Sequence, residues 1–264
     1  MAGLGLWVSG LPLGIAPTWA QDGTPSALEH FRAGERAFEA ERYAEAIEHF
    51  RVAATRESPG VLSPTDGSAW WWLGRAHRAR GDSTDAHAAW RAGVNALHAT
   101  DTLAVQLTDT YLRSVAEKNR AREWETATEL FLRLMGRAGT ELPPQAGRVL
   151  ERRIAQTLPL LPDSLRVKVA PDPEAFRRNG GSPTPGAGEW LTTWWRRQDP
   201  RPSTAVNERI VEHLRRVVVA RRRWGEEHRT AGYDARGRIF VRLGLPSTIT
   251  HLESESVQNA HLAS

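Results

Sequence analysis

Apolar residues recur three and four positions apart along most of this chain, the spacing of one buried helical face. Between residues 25 and 158 the pattern predicts a succession of helices. In Trp70-Trp71-Trp72-Leu73-Gly74, Trp70 and Leu73 share a face with Gly74 beside them, and Gly81-Asp82 marks a turn. Val149, Leu150, Ile154 and Leu158 extend the pattern. Glu189–Gln198 reads as a short helix with Trp190 and Trp194 on one side, ended by Asp199-Pro200. In the next helix, opened by Ser203 or Thr204 as cap, Ile210, Leu214, Val217 and Trp224 form a stripe. Arg215, Arg216, Arg222 and Arg223 lie opposite. Two runs depart from this period. Leu165–Val169 alternates amid four prolines and predicts a strand or an extended linker. Ile239, Val241 and Leu243 alternate with Arg238, Phe240 and Arg242 and predict a strand. The fold class that follows is mostly α, with N-terminal helical repeats and a small α+β module, cut short at the C-terminus.

The N-terminal helices are self-similar. Gly34, Ala46, Phe50 and Ala53 return as Gly74, Ala86, Trp90 and Gly93, while Trp124, Ala127 and Phe131 form a weaker third copy of Tyr43, Ala46 and Phe50. Small residues at fixed positions let paired helices cross closely, and the aromatics fill the space against the next unit. These spacings resemble the tetratricopeptide repeat, a helix-turn-helix unit of ~34 residues. The Pro/Gly/Ser stretch Ser58–Gly67 accounts for the extra length. Three successive tryptophans cannot share one helical face. Trp71 and Trp72 are therefore candidate partner-binding anchors, with Arg78, or else packing residues against the C-terminal part.

Composition narrows the choices. Arg and Lys number 35 against 31 acidic residues in 264, a formal charge of +4. Residues 1–150 are slightly acidic and residues 151–264 basic, so the second half suits an acidic partner. Only Lys118 and Lys168 are lysines. The absence of cysteine excludes disulfides, thiolate catalysis and cysteine-ligated zinc. Residues 1–20 resemble a signal peptide, with an apolar run from Leu4 to Ala16 and small residues Thr18 and Ala20 before Gln21. They lack a basic start, but they predict a periplasmic or otherwise exported protein with no membrane span in its mature form. The order expected is then 25–158 repeats, 159–188 a Pro/Gly-rich connector with a loop at 179–188, 189–250 the C-terminal module and 251–264 a polar tail.

Within the module, WWRRQD at 194–199, VNER at 206–209 and GYDARGRIFVRLG at 232–244 together resemble the GWxTD domain family of bacterial envelope proteins. Tyr233 stands where the family name has Trp, and Asp234 follows it directly, a shortened motif. The resemblance marks Trp194, Asp199, Asn207, Glu208, Gly232, Tyr233, Asp234, Arg236, Gly237 and Arg238 as motif residues with a structural role. In the reading that follows, Asp234 or Glu208 pairs with Arg236 or Arg209 to lock helix to strand, and Gly237 supplies positive φ or close approach.

Chemistry is sparsely signalled. The glycine-rich loop lacks the Lys-Ser/Thr of a phosphate cradle, no HExxH or Gly-x-Ser-x-Gly occurs, and His87 and His98 read as exposed helix residues. No metal or cofactor is predicted. The expected function is a non-enzymatic cell-envelope scaffold that binds a protein or peptide through its repeats. The alternatives are nucleic-acid binding by the arginine-rich helix 207–224, or an enzyme using Asp199, Glu208 and Asp234.

Overall fold

The computed structural model describes residues 26–56, 67–98 and 103–245. The signal-like segment, most of the Ser58–Gly67 loop and the polar tail lie outside the described residues. Those described form twelve α-helices and no strand. None of these helices is long and apolar enough to cross a membrane.

Three antiparallel hairpins come first: α1 (Ala27–Glu39) with α2 (Tyr43–Arg56), α3 (Ala69–Arg80) with α4 (Ser83–His98), and α5 (Val105–Lys118) with α6 (Trp124–Met135). Ser26 opens α1 with a capping box, its hydroxyl accepting from the Glu29 amide while the Glu29 carboxylate accepts from the Ser26 amide. The turns repeat along with the helices. Gly81 closes α3 at φ +99°, and Glu41, 40 positions earlier, adopts φ +57° in the same role.

The glycines explain the periodicity. A Cβ on Gly34 would lie 2.7 Å from the Phe50 ring, and one on Gly93 would lie 2.4 Å from Trp70 Cβ. In the third hairpin Val115 stands at the register of Gly34 and Gly74. Phe131 packs instead edge-on against Trp195, 5.2 Å between ring centroids. The third copy is degraded because its aromatic serves the C-terminal helices.

Those helices are α7 (Pro144–Thr157), α8 (Asp163–Val169), α9 (Pro173–Asn179), α10 (Ala187–Arg197), α11 (Glu208–Arg223) and α12 (Ala235–Leu243). One buried apolar cluster runs from Ala86 to Val241, so the second and third hairpins and the C-terminal helices share a core. A second, smaller cluster joins the first hairpin, through Phe31, Ile47 and Phe50, to α3 and α4 of the second, through Leu73, Ala76 and Ala89.

The predicted strand and the run predicted as a strand or extended linker are both helices. Asp234 accepts hydrogen bonds from the Arg236 and Gly237 amides, an N-cap that starts α12 where the alternation suggested a strand. Gly237, Phe240 and Val241 are buried on one side, whereas Ile239 and Leu243 are 56% and 70% exposed. Burial thus follows the helical period and the alternating residues do not share a face. Leu165–Val169 lies in α8, whose C-terminal Val169 alone is fully buried.

Candidate binding cleft

A cleft of about 690 Å³ lies between α3, α5, α7, α11 and the turn 225–232. Seven arginines and four carboxylates line it. Helical spacing places them: Asp109, Arg113 and Glu117 are four apart on α5, and Arg152, Arg153 and Gln156 cluster on α7. On α11, Val217 and Val218 are followed one turn later by Arg221 and Arg222.

The floor is a buried ion pair. Arg153 Nε donates to Asp109 Oδ1 at 2.5 Å, and its Nη2 reaches the Asp109 carbonyl at 3.3 Å. Gln156 accepts weakly from Arg153 at 3.5 Å and donates to the Ala231 carbonyl at 2.9 Å, fastening the 225–232 turn to α7. Burial raises the Asp109 carboxyl, but Arg153 and Arg113 outweigh it and hold the group below the ordinary carboxylate range. On Arg221 burial acts with the repulsion of Arg113, Arg152 and Arg153, lowering its affinity for a proton. The cleft is therefore electropositive beyond what its own carboxylates neutralise.

The three residues picked out as partner anchors separate. Arg78 is exposed and lines the cleft. Trp71 and Trp72 are half-buried and occupied. Trp71 Nε1 donates to Thr110 on α5 at 3.0 Å, and Trp72 stacks on Phe50 at 5.6 Å. Both pack within the repeats, and Arg75 lies 4.7 and 4.3 Å from their ring centroids.

The motif residues hold turns and helix ends. Trp194 is half-buried against Trp195, the fully buried member of the pair. Asn207 caps α11, accepting from the Ile210 amide while donating to the Trp195 carbonyl, both at 3.0 Å. Tyr233 is buried, with its hydroxyl pushed up by desolvation, and a Cβ on Gly237 would lie 2.8 Å from Tyr233 Cβ. Gly237 therefore serves close approach; positive φ, +80°, belongs to Gly232. Among the described residues there is no helix-to-strand lock. Asp234 pairs with Arg236 inside the first turn of α12 at 2.7 Å, Arg209 pairs with Glu212, and Arg238 approaches Glu174 of α9 at 3.9 Å. Asp199 accepts from the Arg201 amide, and Glu208 contacts Thr204 at 3.4 Å. Asp199, Glu208 and Asp234 are each engaged locally, in separate turns.

His87 departs from expectation. It is buried, with Nδ1 2.8 Å from Ser114 Oγ and Nε2 2.9 Å from both Glu123 oxygens. Desolvation lowers its pKa despite the carboxylate. A Ser–His–Glu alignment suggests nucleophilic catalysis, but Ser114 is buried within α5, where the surrounding amides already serve helical hydrogen bonds. The cluster instead ties α4 to α5 and to the turn before α6. The side chain of His98 lies outside the described residues.

The helix predicted over 207–224 as a basic surface is only partly one. Arg216 donates to Glu212 and to the Val241 and Arg242 carbonyls, closing the end of α12. Arg215, Arg222 and Arg223 are exposed. The cleft itself is assembled from residues up to about 150 positions apart. Its one local signal is Asp109, an acid amid Val105, Leu107, Tyr111, Leu112 and Val115. Comparison with protein-family models, curated proteins and solved structures finds no match.

Proposed function

We propose that this chain is a non-enzymatic binding protein of the cell envelope, in which tetratricopeptide-like hairpins and a GWxTD-like C-terminal module together hold an acidic segment of a protein partner. The observation that carries this reading is the arginine excess in a cleft built between the two parts. Helices α3 and α5 supply one wall, and α7, α11 and the 225–232 turn supply the other. Guanidinium groups on rigid helices recognise carboxylate-rich or otherwise anionic segments with less ordering cost than groups on loops. A cleft of this volume takes a few residues of a peptide. The signal-like residues 1–20 supply the compartment in this reading.

The test is fluorescence anisotropy of labelled acidic, neutral and basic peptide pools with the full chain, alongside cell fractionation. Binding of the acidic pool alone, lost on Arg152→Glu, supports the reading. A matching affinity for oligonucleotides, falling steeply with salt, would move the function to the exposed arginines of α11.

A further inference from the structure

We infer that the floor of the cleft is a subsite for a phosphate monoester, gripped by Arg113, Arg152 and Arg221. The inference rests on the binding reading above and adds the chemistry of the group recognised.

The argument begins with what each arginine already holds. Arg153 is spent: it is buried and bonded to the Asp109 carboxylate, the Asp109 carbonyl and Gln156. Arg113 has only a distant approach to Asp109 Oδ2, at 3.9 Å, and its Nε is buried without a hydrogen-bond partner. Arg152 and Arg221, both half-buried, have no ion-pair partner among the described residues. Four guanidinium groups thus face the Asp109 carboxylate, which Arg153 already holds at 2.5 Å. Glu117 and Glu227 also line the cleft, while Glu226 is held by Arg229 at 3.0 Å.

Such an imbalance is costly in a partly desolvated place, and it is relieved by an incoming anion. A single carboxylate would leave most of the excess uncompensated. A phosphate monoester brings close to two charges and three strong acceptor oxygens, enough for several forks at once. The guanidinium plane matches its geometry, and lysine, nearly absent from this chain, would not provide that fork.

The site is also built rather than incidental. Gly232, at φ +80°, brings its backbone against Arg221, and a Cβ there would lie 3.1 Å from Arg221 Nε. The Gln156–Ala231 bond holds that turn in place. The guanidinium of Arg221 is thereby backed by main chain on one side and open to the cleft on the other.

The experiment uses the full chain and degenerate peptides with a fixed central phosphoserine, glutamate or serine, together with phenyl phosphate and inorganic phosphate. The phosphoserine pool is expected to bind at least tenfold tighter than the glutamate pool, with inorganic phosphate competing. Arg152→Gln and Arg221→Gln should each remove that preference while circular dichroism shows the fold retained. Phenyl phosphate binding without peptide binding would keep the phosphoryl subsite and sink the protein-partner reading. Equal binding of glutamate and phosphoserine would overturn the phosphoryl preference and leave the acidic-partner reading standing. Phosphate binding unchanged in both variants, or none by any probe, overturns the site.

Discussion

Gly74 lies under the indole of Trp90, so close that a Cβ would come within 2.0 Å of Trp90 Nε1. That nitrogen donates to the Trp71 carbonyl at 3.2 Å, so the glycine permits both the helix crossing and the bond across it. Gly74→Ala must displace a ring that is 3% exposed and has nowhere to go. Overpacking of this kind costs roughly 1–3 kcal/mol, and the lost indole bond adds to it. Chemical denaturation of Gly74→Ala should show a loss at the upper end of that range. Trp90→Phe in the same chain should return part of it.

The matching turn carries strain that can be relieved. Glu41 sits at φ +57°, where the second hairpin places Gly81. A left-handed conformation costs a residue with a Cβ on the order of 1 kcal/mol. Glu41→Gly is expected to stabilise the first hairpin by up to that amount, less the entropy glycine adds to the unfolded chain. A fall in the denaturation midpoint would mean that the Glu41 side chain contributes more than its backbone costs.

The floor of the cleft should respond asymmetrically. Asp109→Asn leaves Arg153 buried without its counter-charge, a change that costs about 3–5 kcal/mol when one partner of such a pair is removed. Asp109→Leu with Arg153→Met removes both charges and should restore much of the stability. If the double variant is as unstable as the single, the pair matters through packing alone. The sign with pH is fixed by the lowered Asp109 pKa. The pair's stabilisation is complete above the unfolded carboxylate range and is lost as pH falls through the folded value.

Asn207 joins two helices with one side chain, and its two bonds can be separated. Asn207→Ala loses the cap of α11 and the donor to the Trp195 carbonyl, and should cost about 1–2 kcal/mol. Asn207→Asp keeps an oxygen for the Ile210 amide but turns a carboxylate toward that carbonyl. It should therefore be no better than alanine, despite being an excellent cap elsewhere. At the next helix, Asp234→Ala should lower the melting temperature more than Arg236→Ala, because Asp234 holds two amides and Arg236 only returns to Asp234.

How far the sequence carries differs between fold and cleft. Helices at 3.6-residue spacing were legible because burial imposes the period directly, as Ile210, Leu214 and Val217 illustrate. The run over 238–243 reads as a strand because six residues are too few to separate the two periods. What decides the matter is the Asp234 cap three residues before Gly237, a signal available in the sequence. The cleft was not legible. Asp109 and Arg153 meet across 44 residues, and neither helix alone reveals the charge it buries.

His213 gives the sharpest dependence on acid. It is wholly buried on α11 against Trp195, 5.1 Å between ring centroids, and Phe131, at 6.0 Å. Neither ring nitrogen has a hydrogen-bond partner among the described residues. Desolvation, helped by Arg153, Arg209 and Arg216, takes its pKa down to about 3. The folded chain therefore holds His213 neutral while the unfolded chain protonates it below about 6.5. Stability is undiminished above the unfolded pKa and falls progressively as pH drops from there toward the folded value. At pH 5 the loss from this group alone is on the order of 2 kcal/mol. His213→Phe offers the two aromatic neighbours an apolar ring of similar size and cannot be protonated. Urea denaturation at pH 7 and pH 5 should show the wild-type chain losing stability between the two, with the variant losing distinctly less. Equal losses would mean that His213 is protonated in the folded state and that another group governs the response to acid.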